Sequence, residues 1–169
     1  MRRLLVSFLL ISPCLHSEEK SGVDISISQF NHIATSDKPT FNGQSLGIGI
    51  RTPDPDRPNN VLRATIEKGL STSGYNSNSI SNIRNYFSLS FDYVWHHSEP
   101  FFLGAGVRAI KFDVDAPPPS QFATMSAINF GTNHSTLPQF MVGVRFATHI
   151  SIELDTSIIQ NNLQLRCSF

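Results

Sequence analysis

Two small sets of residues combine types and spacings that could do chemistry. The first is His149-Ile-Ser151 followed by Glu153. In an extended strand these three side chains share a face, and a histidine beside a serine can activate the hydroxyl to attack an ester. The second is the histidine set His96, His97 and His149. Adjacent histidines in a strand point to opposite faces, so His96 and His97 cannot both ligate one ion without a distorted turn. Neither a phosphate-cradling glycine loop, a nucleophile elbow nor a zinc-type cysteine pair occurs. No metal and no cofactor are therefore expected.

A larger set is electrostatic. Asp24, Arg51, Arg63, Glu67, Asp92, Arg108, Arg145, Glu153, Asp155 and Arg166 occupy one face of their strands, five arginines against five carboxylates with no lysine among them. A solvated face would use lysine freely, whereas enclosed pairing favours the planar, permanently charged guanidinium that grips a carboxylate through two hydrogen bonds. Gly47, Gly49, Gly69, Gly104, Gly106 and Gly143 share that face. Glycine weakens an exposed strand but fits a crowded lumen. The expectation is a closed interior filled by ion pairs.

The elements that must position these residues are strands. Eight segments alternate with period two, over residues 23–33, 44–51, 61–70, 84–96, 101–113, 139–147, 149–156 and 162–169, and no segment has helical periodicity. Eight strands of about 9–11 residues suit a small antiparallel up-and-down transmembrane barrel. Its connections alternate in length. Residues 34–43, 71–83, 114–138 and 157–161 fall at one rim, and 52–60, 97–100 and the link at Thr148 at the other. Residues 52–60, with Pro53, Pro55 and Pro58, form an unusually long turn for the short-turn rim. The longest connection holds Phe122, Met125, Ile128 and Phe130, more apolar than a solvated loop requires.

The alternate face is apolar over whole strands, as in Leu46, Ile48 and Ile50, or Phe87, Leu89, Phe91, Tyr93 and Trp95. Tyr93, Trp95, Phe101, Phe146 and Phe169 are expected at the inner membrane interface, and Phe87, Phe112 and Phe30 at the outer one. Lys68 and Lys111 are the charged exceptions on the apolar face, placed to snorkel toward lipid headgroups. Charged residues make up 15% of the chain, against a usual value of roughly 25%. Formal neutrality excludes the clustered basic surface of a nucleic-acid binder.

At the amino terminus, Arg2 and Arg3 precede an apolar run from Leu4 to Ile11, too short to span a bilayer as a helix. This reads as a signal peptide over residues 1–17, cleaved after Cys14 or after Ser17, followed by a barrel domain over 18–169. Cys167 is then left without an intrachain partner.

Residues 162–169, in which Leu163, Leu165, Cys167 and Phe169 alternate with polar residues, resemble the terminal strand of bacterial outer-membrane barrels. In that family the closing aromatic serves as an assembly signal. Pro100-Phe-Phe-Leu-Gly-Ala-Gly-Val107, Val142-Gly-Val-Arg-Phe146 and Ile150-Ser-Ile-Glu-Leu-Asp155 resemble strand phrases of the small opacity/OmpA-like barrels. The resemblance implies a plugged barrel in the outer membrane of a Gram-negative bacterium. Its partners would be membrane lipid including lipopolysaccharide, the assembly machinery, and an unidentified ligand of the loops. Larger members carry a further peptidoglycan-binding domain, so no wall anchoring of that type is expected here. Eight-stranded lipid A deacylases also carry a His-x-Ser pair with a separate Glu, which makes a hydrolase using His149, Ser151 and Glu153 the alternative, with a small pore as another. Against the hydrolase, the three residues face the lumen, His149 lies at the inner strand end, and Ser151 is not followed by the family's Asn and small residues.

Overall fold

A computed structural model of the chain describes residues 21–32, 40–75, 83–98, 100–114 and 131–169. The expected leader and the apolar residues of the 115–130 connection lie outside the described residues. The eight strands are β1 (Gly22–His32), β2 (Thr40–Asp54), β3 (Arg57–Tyr75), β4 (Ile83–Ser98), β5 (Phe101–Val114), β6 (Gly131–Ala147), β7 (Ile150–Thr156) and β8 (Gln160–Ser168). Each pairs antiparallel with its neighbour in sequence, and β8 returns to β1, so the sheet closes without an edge. Closure satisfies every ladder inside the chain, which an open sheet surrounded by hydrocarbon could not do.

The register defines the barrel's size. From Ile27, pairing leads forward through Leu46, Lys68, Phe87 and Lys111 to His134, and backward through Leu165 and Ile152 to Val144. The two routes meet β6 at positions 134 and 144, a stagger of ten residues. Such a stagger requires strands tilted by roughly 35–45°, and eight strands leave an interior just wide enough for side chains.

Alternation then divides the residues. Ile25, Ile48, Ile50, Phe91, Phe140 and Leu165 project outward and are exposed, Ile50 by 66% and Phe140 by 65%. The same strands turn Asp24, Arg63, Glu67, Asp92, Arg108, Glu153, Asp155 and Arg166 inward, where they are buried.

Several strands run past their expected ends. Residues 52–60 are not a long turn: β2 continues to Asp54, β3 begins at Arg57, and Pro55 and Asp56 alone make the reversal. Pro53 sits at an irregularity in the β2–β3 register, the setting in which a residue without an N–H is tolerated in a sheet. On the opposite rim β3 extends to Tyr75 and β6 begins at Gly131, so the connections there are shorter than the pattern of apolar residues implies. Polar residues extend these strands because the barrel wall stands clear of the apolar band, where both faces can be polar.

Candidate functional site

The ionic side chains form a single tier across the lumen. Arg63 on β3 reaches over the barrel to Glu153 on β7, with Nη1 to Oε1 and Nη2 to Oε2 both at 3.0 Å. Its Nε lies 3.7 Å from Asp92 on β4. Glu153 is shared: Arg166 on β8 donates to it through Nε at 3.0 Å and lies 3.6 Å from Asp24 on β1. Asp24 in turn accepts from Arg51 on β2 at 2.6 Å. Arg108 on β5 pairs with Asp155 at 2.9 Å and approaches Glu67 at 4.0 Å.

Uncharged groups complete the tier. Gln164 Nε2 donates to Glu67 at 2.9 Å and to Asp155 at 2.8 Å. Ser88 donates to Glu67 at 3.0 Å, and Gln139 on β6 donates to Asp92. All eight strands therefore contribute to one polar network. Low dielectric makes such a network strong when its members are satisfied and costly when one is removed. Arg51 is more exposed than the Asp24 it pairs with, at 12% against 1% of its side chain, and Arg145 is only half-buried near the short-turn rim, opposite Ser151. Arg145 thus lies outside the buried tier expected of it, because the wall there opens toward the turns.

Two apolar layers bracket the charges. On the long-connection side Phe30 stacks on Tyr86 at 4.1 Å, Phe41 lies 4.7 Å from Phe112, and His32 stacks on Phe41 at 4.4 Å, with Ile110 in the same cluster. Gln160 packs within this layer, donating to the Tyr86 hydroxyl at 2.8 Å and lying 3.4 Å from the His32 ring nitrogen. On the short-turn side Val61, Val94, Phe102 and Met141 form the second layer. Met141 sulfur accepts from Arg63 at 3.0 Å. Gly143 is needed there: a Cβ would run into the Phe102 ring.

This corrects the aromatic girdle. Phe30 and Phe112 do not face lipid; they are 1% and 0% exposed and belong to the luminal layer. Phe30 shares the parity of Asp24 on β1, and Phe112 that of Arg108 on β5, so alternation turns both inward. Phe41 and Tyr86, the largest other members of that layer, stand outside the ionic pattern, and only their strand parity marks them. Phe87, Phe101, Phe146 and Phe169 are exposed on the outer surface. Tyr93 and Trp95 are half-buried and pack edge to face at 5.0 Å. Lys68 and Lys111 are exposed on that surface too. At the chain's end, Leu163 and Leu165 point outward, Cys167 is a half-buried free thiol, and Phe169 exchanges backbone hydrogen bonds with Val23 at 3.2 and 2.9 Å.

The His149, Ser151 and Glu153 set is not assembled. His149 is not at the start of β7 on the lumen face but in the exposed Thr148–His149 turn. Ser151 donates to Glu153 at 3.0 Å, and Glu153 is held by two arginines. His96 and His97 lie on β4, and their side chains are outside the described residues.

At the short-turn rim the Tyr93 hydroxyl donates to Asp54 and accepts from Asn60 Nδ2 at 2.9 Å. The Asp56 backbone N–H also donates to Asp54, at 3.0 Å. The tyrosine bond first, and that N–H second, hold the Asp54 carboxyl below its ordinary range.

The outside is apolar and the inside ionic. That is the polarity of a membrane barrel. No protein-family model and no curated protein matches the sequence. Among solved structures the chain is similar to Ail, the attachment invasion locus protein of Yersinia pestis, in complex with the heparin analogue sucrose octasulfate. That likeness has 12% identity over 88% of this chain and 94% of that one, with a TM-score of 0.49. It is similar also to a second structure of Ail from Yersinia pestis, at 15% identity over 90% and 97% of the two chains and a TM-score of 0.43.

Proposed function

We propose that the protein is an integral outer-membrane β-barrel of a Gram-negative bacterium, non-enzymatic and closed to ion flow, that works through its surface-exposed connections. The observation that carries this reading is the inverted distribution of polarity. A water-soluble barrel puts its apolar face inside, whereas here whole rows of Ile, Leu, Val and Phe face outward around a buried ionic tier. Exposed apolar surface of that extent is tolerated only where lipid or another protein covers it.

Two features support the finer parts. The reversals at Pro55–Asp56 and Thr148–His149 are tight, while residues 33–39, 76–82 and 115–130 join strands at the other rim, the asymmetry of short periplasmic turns and longer external loops. Among the described residues an apolar cluster stands on either side of the charges, which supports a lumen closed to ion flow. In this reading residues 1–17 are the export signal, the β8 residues Leu163, Leu165, Cys167 and Phe169 serve recognition by the assembly machinery, and lipid including lipopolysaccharide surrounds the wall. The loops carry the unidentified partner's site.

The test is membrane fractionation after expression, followed by electrophoresis in detergent with and without boiling. Recovery in the outer membrane with a mobility shift on heating is the expected result. Recovery in the soluble periplasm without detergent overturns the reading.

A further inference from the structure

Lys68 and Lys111 differ from every buried arginine of the barrel in one respect. The arginines meet carboxylates, but neither lysine has an ion-pair or hydrogen-bond partner among the described residues. Both are exposed on the outer wall, on the half nearer the long connections, where the apolar rows give way to polar residues such as His134, which pairs across from Lys111. They are also neighbours. Phe87 pairs with Lys68 on one side and Lys111 on the other, so the two lysines flank an exposed aromatic ring in one row. With strands about 4.8 Å apart, their Cα atoms stand roughly 10 Å from each other, within reach of one headgroup for two four-carbon stems.

The surroundings specify the partner. Below the row lie Ile48, Ile66, Leu89 and Ala109, a wall that only acyl chains solvate well. A ligand must therefore bring negative charge at the level of the ammonium groups and hydrocarbon beneath it. Resting on the membrane reading above, we infer that Lys68, Phe87 and Lys111 form a binding site for the phosphate headgroup of an anionic lipid, whose chains lie along the wall below. Phe87 separates the stems and holds the cations apart; the Asp113 carboxyl, two residues along β5 on the same face, is engaged by Asn85 at 3.0 Å and forms no ion pair with either lysine, so the lipid phosphate supplies their counter-charge. Lysine suits this position: a flexible point charge can follow a mobile headgroup, whereas the luminal sites need the rigid fork of arginine.

The experiment uses the full barrel reconstituted in phosphatidylcholine vesicles that carry a trace of spin-labelled phosphatidylglycerol or spin-labelled phosphatidylcholine, reading the relative association of the two lipids. The unmodified protein is expected to prefer the anionic lipid, by about fivefold per lysine engaged. Lys68→Gln combined with Lys111→Gln should bring the ratio close to one. Arg57→Gln, which removes an exposed cation at the opposite rim, should leave the preference intact. An unchanged ratio in the double variant overturns the site, as does loss of the preference when inorganic phosphate replaces chloride at equal ionic strength, since the recognised species would then be phosphate alone. Failure to insert into either vesicle contradicts the membrane reading, whereas insertion without lipid preference contradicts only this site.

Discussion

Removing the Arg63 guanidinium would leave Glu153 and Asp92 with one cation fewer between them, in a place where neither carboxylate can be hydrated. Arg63 is 7% exposed and Arg108 4%. Breaking a buried pair by deleting one partner costs about 3–5 kcal/mol, because an uncompensated charge stays behind. Arg63→Ala and Arg108→Ala should each lower the unfolding free energy of the refolded barrel, read from its urea titration, by an amount of that order. Arg145→Ala, at the half-buried rim, should cost under about 1 kcal/mol, as solvated ion pairs do. Equal and negligible shifts in all three variants would show that water fills the tier. Arginine rather than lysine on this face was a chemical clue to enclosure, since it is the cation whose geometry suits bidentate, dry pairing. The distance of each arginine from the rim was beyond the sequence, because depth follows from tilt and stagger, and neither is written in any one strand.

At the scale of the strand and its turn, the hairpin joining β2 to β3 is pinned by Tyr93 and by the Asp56 N–H, both donating to the same carboxylate. Asp54 lies clear of the apolar band, and its carboxyl is held below the ordinary value of 3.8, chiefly by the tyrosine bond. A depressed folded-state value stabilises the hairpin at pH above 3.8. That contribution disappears as the pH falls through the lowered value and the carboxyl takes up its proton. Tyr93→Phe should move the Asp54 titration upward toward 3.8, followed through its carboxyl carbon by NMR, and an unmoved titration would deny the bond its role. Strand existence was readable throughout because period-two alternation is a strong signal in segments such as Phe87 to Trp95. Strand ends were not: Pro53, Pro55 and Pro58 looked like a long loop, although a hairpin accommodates them at a register irregularity and a tight reversal. The inward aromatics were legible in principle. Phe30 and Phe112 share parity with Asp24 and Arg108, but a position near a strand end invites assignment to an interfacial girdle before parity is checked.

Whether the whole molecule conducts ions depends on how its three luminal layers combine. The ionic tier alone would be an ambiguous filling, since arginines and carboxylates line open pores as well as closed ones. The stagger of ten residues on eight strands limits the interior to the volume of its own side chains. Phe30, Phe41, Tyr86 and Phe112 cluster on one side of the tier, beside buried His32 and Gln160, and Val61, Val94, Phe102 and Met141 on the other. In the proposed closed reading, an ion entering from either end meets one of these clusters before the charges, and the loss of hydration there raises a barrier even if the tier fluctuates. The barrel in a planar bilayer should accordingly show no discrete conductance steps under applied voltage. Phe41→Ala with Phe112→Ala should remain silent as well, because the tier and the second layer still fill the bore. Stepwise currents from the unmodified protein would mean that the layers part in the membrane, and the ion pairs would then be the lining of a pore rather than the bolts of a closed wall.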